Sequence, residues 1–298
     1  MKVSIITPTY NRGILLQHCY QSLLEQELKS FEWIIVDDGS SDETRQIAKR
    51  FMEEEKIEIN YIFKKNGGKH TAVNIGVENA KGELSLILDS DDTLTSDAIS
   101  IITKRWNEFK HLSRLGAFSF LKADKNGKSL ATDVPSNGLI SDYIAYRLKL
   151  GVKGDMCEVF RTEILKNYPF PIFPNERFLS EAVSWIEIAK TYKTIYFDHV
   201  IYKAEYLEGG LTSSIRKVQY NSPKGMCKLA ESYLNVDCGW KMKLKYLIVY
   251  ICFGLIDKKK IKEIFQQMKG NLIGLIFLFP VGYLVFKSIE RDVLNQER

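Results

Sequence analysis

Apolar and polar residues alternate in blocks along the first third of the chain. Val3 to Thr7 is an apolar run of strand length, and Leu16, Tyr20, Leu23 and Leu24 then recur at helical spacing. Trp33 to Val36 is the next such run. It ends in Asp37-Asp38-Gly39-Ser40-Ser41-Asp42, turn and N-cap chemistry ahead of a helix that carries Ile47, Ala48 and Phe51. Ile57, Ile59, Tyr61 and Phe63 alternate as a third strand, and Asn66-Gly67-Gly68 breaks the chain before a helix from about His70. Leu84 to Leu88 is the fourth strand. Strands alternating with helices at this spacing predict an α/β fold, with a mostly parallel sheet and helices on both faces.

The pattern changes after residue 110. Ala117 to Leu121 and Asp155 to Phe160 read as strands, and Asn126-Gly127 is a turn signal. The proline-rich loop Tyr168 to Pro174 precedes a helix from about Ser180, with Val183, Ile186 and Ala189 on one face. Thr194 to Tyr206 is rich in β-branched and aromatic residues. Residues 1–110 and 111–216 are thus expected to be two halves of one unit, followed by a basic and apolar helical tail over 217–298.

In that tail Leu244 to Ile256 is almost wholly apolar, Lys258-Lys259-Lys260 is a basic cluster, and Leu272 to Phe286 carries no charge. The last run is shorter than the ~20 residues that span a bilayer, and Gly274, Pro280 and Gly282 are expected to interrupt it. Two readings stand. Residues 244–286 form an interfacial or partly inserted hairpin on an anionic membrane surface, or they bury their apolar faces on the protein or a second subunit.

Composition narrows the class. A hydrophobic fraction of 45% and a charged fraction of 27% are those of a folded globular chain. The net charge of +5 suits an anionic ligand or membrane but does not point to nucleic acid. The five cysteines include no CxxC pair, which argues against a structural zinc site and against a disulfide framework. The amino terminus reads directly into a strand, so no secretion signal is expected, and the scattered cysteines make a reducing cytoplasm the expected location.

The strongest chemical signal is Leu86-Ile87-Leu88-Asp89-Ser90-Asp91-Asp92, an apolar strand that ends in three carboxylates around a serine. Ligands of open α/β sheets bind at that edge. The cluster suits a hard divalent cation shared with a diphosphate, or, more blandly, a capping turn before the next helix. Three other loops share the edge: Thr7-Pro8-Thr9-Tyr10-Asn11-Arg12, Asp37-Asp38-Gly39-Ser40 and Asn66-Gly67-Gly68-Lys69. Their carboxylates can accept from a base or ribose, their glycines allow close backbone approach, and Arg12 or Lys69 can offset phosphate charge.

With Asn74-Ile75-Gly76 and Ala80-Lys81-Gly82-Glu83 added, these motifs resemble, in order, those of family 2 glycosyltransferases of the GT-A fold, over about the first hundred residues. The resemblance implies inverting transfer from a nucleotide-diphosphate sugar, usually a UDP-sugar, to a saccharide or lipid-linked saccharide of the kind used in bacterial surface polysaccharide. It lays Thr7, Pro8, Tyr10 and Asn11 along the nucleotide, with Asp38 and Asp37 on the base. Asp89 falls near the ribose with Ser90 beside it, Asp91 ligates Mg²⁺ or Mn²⁺, and Lys69 and Asn74 complete the donor set. Glu181 is the expected base, although the family's acidic pair is here Glu181-Ala182; Glu176 and Asp155 are the alternatives. Leu207 to Ser214 reads as a hinged lid or as a plain connector. The short tail leans towards single additions. The location implied is peripheral, at the inner face of the cytoplasmic membrane. A non-catalytic, sugar-nucleotide-binding scaffold of an assembly complex is the alternative function, and no oligomeric state is implied.

Overall fold

A computed structural model describes residues 2–204, 215–268 and 272–296; the expected lid over 207–214 lies outside the described residues. The strands are β1 (Val3–Thr9), β2 (Phe31–Asp37), β3 (Ile59–Phe63), β4 (Leu84–Ile87), β5 (Thr93–Leu94), β6 (Leu115–Ala123), β7 (Leu139–Ser141), β8 (Met156–Arg161) and β9 (Lys193–Lys203). The helices are α1 (Gly13–Leu24), α2 (Thr44–Glu53), α3 (Lys69–Asn79), α4 (Ala98–Phe109), α5 (Thr162–Asn167), α6 (Ala182–Ala189), α7 (Ile215–Tyr220), α8 (Pro223–Leu234), α9 (Trp240–Ile256), α10 (Ile261–Gln267) and α11 (Leu272–Gln296).

The strands form one sheet in the order β3-β2-β1-β4-β8-β6-β9-β5, with β7 also pairing β9. The first four are parallel, as the βα alternation predicts. Beyond β4 the sheet is mixed: β8 runs antiparallel to both β4 and β6, while β6 and β9 are parallel. Strands from both sides of residue 110 therefore share one sheet.

Successive side chains on a strand face opposite ways, so each central strand feeds two cores. Ile5, Trp33 and Ile35 pack with Leu16, Tyr20, Phe51 and Ile102 of α1, α2 and α4. Ile6, Ile34 and Val36 pack on the other face with Val73, Val77, Val183 and Ile186 of α3 and α6. Pro8 sits inside β1 without breaking it. The β1–β4 register ends at Ile6↔Ile87, so no ladder bond on that side needs the missing proline N–H.

The tail departs from expectation twice: its last apolar helix is not interrupted, and it is not too short to span a bilayer. Gly274, Pro280 and Gly282 do not interrupt the apolar run, because α11 continues through all three. The two glycines serve close helix crossing instead. A Cβ on Gly274 would lie 2.8 Å from Leu247 Cδ1 of α9, and one on Gly282 would lie 2.5 Å from Ile251 Cγ2. Thus α11 buries one face on α9. Its other face is open, with Ile273 75%, Phe277 76% and Leu284 68% exposed. Over Leu272–Val293 it is long and apolar enough to cross a membrane by length and composition.

Candidate active site

The loops after β1, β2 and β4 and the turn before α3 meet at the carboxyl edge of the parallel strands. Asn11, in left-handed backbone at φ 51°, ties the first two together. Its amide donates to Ser40 Oγ at 2.8 Å, and its Oδ1 accepts from the Ser41 amide at 2.8 Å. Tyr10 beside it is exposed. Thr7 is wholly buried, and its hydroxyl accepts from Trp33 Nε1 at 2.8 Å within the core.

Both aspartates after β2 hold loops. Asp37 accepts from the Ser40 amide at 2.8 Å and from the Tyr61 hydroxyl at 2.6 Å. Asp38 accepts from the amides of Gly67 at 2.9 Å and Gly68 at 2.7 Å and pairs with Lys64. Gly68 has no substitute here: φ is +93°, and a Cβ would lie 2.0 Å from the Arg177 carbonyl oxygen. Asn74 bonds both ways to the Phe170 backbone, at 2.8 and 2.9 Å, and so anchors the proline-rich loop on α3.

The acidic turn after β4 divides its carboxylates. Tyr202 of β9 accepts from the Asp89 amide at 3.0 Å and donates to Asp92 Oδ2 at 2.7 Å. Asp92 therefore belongs to the scaffold, and Ser90 is buried beside it. Asp89 and Asp91 are left to face cations. Asp91 Oδ2 lies 2.5 Å from Arg12 Nη1. Asp89 Oδ1 lies 2.7 Å from Lys69 Nζ, and the same ammonium lies 3.0 Å from Glu181 Oε1. Lys69 thus joins the head of α3, the end of β4 and the head of α6. Burial pushes the Asp89 carboxyl up, but Lys69, Lys122 and Arg12 outweigh it and hold it below the usual carboxylate range. Burial pulls Lys69 down, and Asp89 and Glu181 more than reverse it, so the ammonium stays charged.

Lys69, Asp89 and Glu181 line a cleft of about 430 Å³. The other donor-side residues expected from the sequence are not among those that line this cleft. Of the alternatives for a base, Asp155 lines the cleft, whereas Glu176 accepts from the amides of Lys224 at 2.9 Å and Gly225 at 2.8 Å and so caps α8. Lys122, Arg147, Glu158 and Tyr202 escaped the sequence reading. Lys122 and Glu158 did leave a trace there, as lone charges in the otherwise apolar runs Phe120-Leu121-Lys122 and Glu158-Val159-Phe160.

The Tyr202 clamp can be tested through stability. Tyr202→Phe deprives the Asp89 amide of its acceptor and is expected to cost about 1–3 kcal/mol. The urea midpoint should fall at constant m-value, and an unchanged midpoint would show that the clamp does not hold the turn.

The Glycosyl transferase family 2 model matches residues 4–168. The GalNAc(5)-diNAcBac-PP-undecaprenol β-1,3-glucosyltransferase of Campylobacter jejuni is 30% identical over 242 residues, covering 77% of this chain and 73% of the relative. Among solved structures, Staphylococcus aureus TarS 1–349 in complex with UDP-GlcNAc is similar with a TM-score of 0.67 at 19% identity, over 99% of this chain and 92% of that one. The mannosyltransferase PcManGT of Pyrobaculum calidifontis in complex with GDP-Man and Mn²⁺ is similar with a TM-score of 0.59 at 17% identity, over 99% and 84%. At such identities the two structures show a shared fold.

Proposed function

This chain belongs to glycosyl transferase family 2, and on that footing we propose that it moves single sugars, with inversion, from a UDP-sugar to a hydroxyl of a lipid-linked saccharide. The observation that carries the reading is the Lys69 bridge between Asp89 and Glu181. It places a donor-side carboxylate and a candidate base on one cation at the carboxyl edge of the sheet. The UDP-GlcNAc complex of the TarS structure supports the donor class, and the undecaprenol-linked substrate in the Campylobacter relative's name supports the acceptor class.

Asp89 and Asp91 are hard oxygen donors, the kind that suits Mg²⁺ or Mn²⁺. Among the described residues no group of three or more His, Cys, Asp or Glu converges on a point. Asp91, with Asp89 beside it, would hold such an ion next to a bound diphosphate. Such an ion, when bound, neutralises charge that develops on the leaving diphosphate. Arg12 and Lys69, now held by Asp91 and Asp89, are the two side chains that phosphate oxygens would recruit. Drawing Lys69 away frees the Glu181 carboxylate to take the proton of the acceptor hydroxyl.

Asp37, Asp38 and Asn11 shape the nucleotide end by fixing the loops, with Tyr10 exposed beside them. In this reading residues 1–110 bind the donor, 111–216 supply the acceptor side, and 217–298 serve as the attachment segment. Release of UDP from a panel of UDP-sugars, with Mn²⁺ or with chelator, tests the donor and the metal together. Turnover with one sugar that chelator abolishes is expected. Binding of UDP-sugar without any turnover would favour the scaffold alternative.

The exposed face of α11 supports a peripheral location at the inner face of the cytoplasmic membrane. Ile273, Phe277 and Leu284 form its apolar stripe, and Lys287 follows at its end. Burying an Ile or Phe is worth about 1.5–3 kcal/mol. The double substitution Ile273→Glu, Phe277→Glu should therefore weaken co-sedimentation with anionic vesicles by at least about a hundredfold. Transfer to a soluble acceptor should stay unchanged. Equal sedimentation of both proteins would reject the stripe as the attachment face.

A further inference from the structure

The cleft continues past Glu181 into a second group of side chains that the donor chemistry does not use. Arg147 lies on a π-helical turn, Ile144–Lys149, a rare backbone form that recurs at functional sites. Its Nη2 donates to the Gly154 carbonyl oxygen, while its Nη1 is buried and has no acceptor. Glu158 of β8 lines the same cleft, and its carboxylate stands in no hydrogen bond or ion pair among the described residues. A buried donor without an acceptor and a carboxylate without a partner, on two residues that line one cleft, are an incomplete hydrogen-bonding set. Tyr143 and Phe178 add aromatic surface to the wall.

Resting on the glycosyltransferase reading, we infer that Arg147 and Glu158 form the acceptor-sugar subsite, with Arg147 Nη1 donating to one ring hydroxyl and Glu158 accepting from its neighbour. The charge around the subsite selects a neutral ligand. Glu158 and Asp155 line the cleft with Arg147, and Lys122 is drawn to Asp89, so a phosphate would meet carboxyl groups beside the guanidinium. Burial pushes the Glu158 carboxyl up to about 7, against the pull of Arg147 and Lys122. A group so poised can accept from a hydroxyl as carboxylate or donate as acid. A sugar ring suits the rest of the wall, because its C–H face can lie on an aromatic side chain while its hydroxyl rim meets the polar pair.

The test is saturation-transfer NMR on the full chain, with and without UDP. The probes are the methyl β-glycosides of glucose, galactose, N-acetylglucosamine and N-acetylgalactosamine. The wild-type protein should bind at least one of them. Glu158→Gln and Arg147→Lys should each weaken that binding by about tenfold or more, since each removes or displaces a charge-assisted hydrogen bond. UDP affinity by calorimetry should be unchanged in both variants, which distinguishes loss of the subsite from loss of the fold. Absence of glycoside binding to a wild-type protein that binds UDP would overturn the subsite. So would undiminished binding in both variants, or displacement of the glycoside by inorganic phosphate. Glycoside binding without UDP binding would keep the subsite and sink the donor assignment instead.

Discussion

Glu181→Gln is expected to lower the rate of sugar transfer by about 10²- to 10⁴-fold, the range that a positioned general base contributes, with donor affinity unaltered. Glutamine keeps the shape of the side chain at the head of α6 and can still accept a hydrogen bond from Lys69, but it cannot take a proton. Lys69 would keep Asp89 as its partner at 2.7 Å, so the donor side should stay assembled. The measurement is the initial rate of UDP release at saturating acceptor, beside the affinity for UDP by calorimetry. A large fall in rate at constant UDP affinity is the expected pair of results. A rate within threefold or so of wild type would remove Glu181 as base and leave Asp155, since Glu176 is committed to capping α8.

Asp91→Ala is expected to reduce transfer by about 10³-fold or more, equivalent to about 4 kcal/mol of transition-state stabilisation. The variant should also separate two roles of the loop. In the wild type Arg12 is paired to Asp91 at 2.5 Å, so removing the carboxylate releases a guanidinium at the phosphate end. UDP affinity without metal should therefore hold or rise in the variant, while the gain in affinity that Mn²⁺ brings should disappear. A variant that loses UDP affinity with and without Mn²⁺ would mean that Asp91 shapes the loop and does not serve a metal. Asp92→Ala is the control. Its carboxylate accepts from the buried Tyr202 hydroxyl, so its loss should act first on stability.

Most of the donor half was legible because its information is local. Parallel strands buried on both faces read as short apolar runs, and the residues that must follow each run carry turn chemistry wherever the fold places them. Hence Asp37, Asp38, Gly67, Gly68, Asp89 and Asp91 stood out before any pairing was known. Their individual contacts did not. Three carboxylates in one turn look alike in sequence, and only the arrival of Tyr202 from β9 and Arg12 from the loop after β1 makes Asp92 structural and leaves Asp91 facing a cation. In the tail, Gly274, Pro280 and Gly282 read as interruptions because intrinsic propensity disfavours them in a helix. Packing overrode propensity: the glycines let α11 lie close on α9, and the helix runs on.

The sequence by itself determined the βα alternation, the family and the sheet edge that holds the chemistry, because periodicity and turn residues act over a few neighbours. The tertiary structure alone decided which charges meet. Lys69 and Glu181 are separated by more than a hundred positions, as are Asp89 and Tyr202, and no local pattern encodes either contact. Arg147 and Glu158 are close in sequence, yet only the folding of the π turn against β8 sets both on one cleft. The physical reason is that a side chain's direction follows from its strand or helix, but what it faces follows from the order in which strands assemble into the sheet.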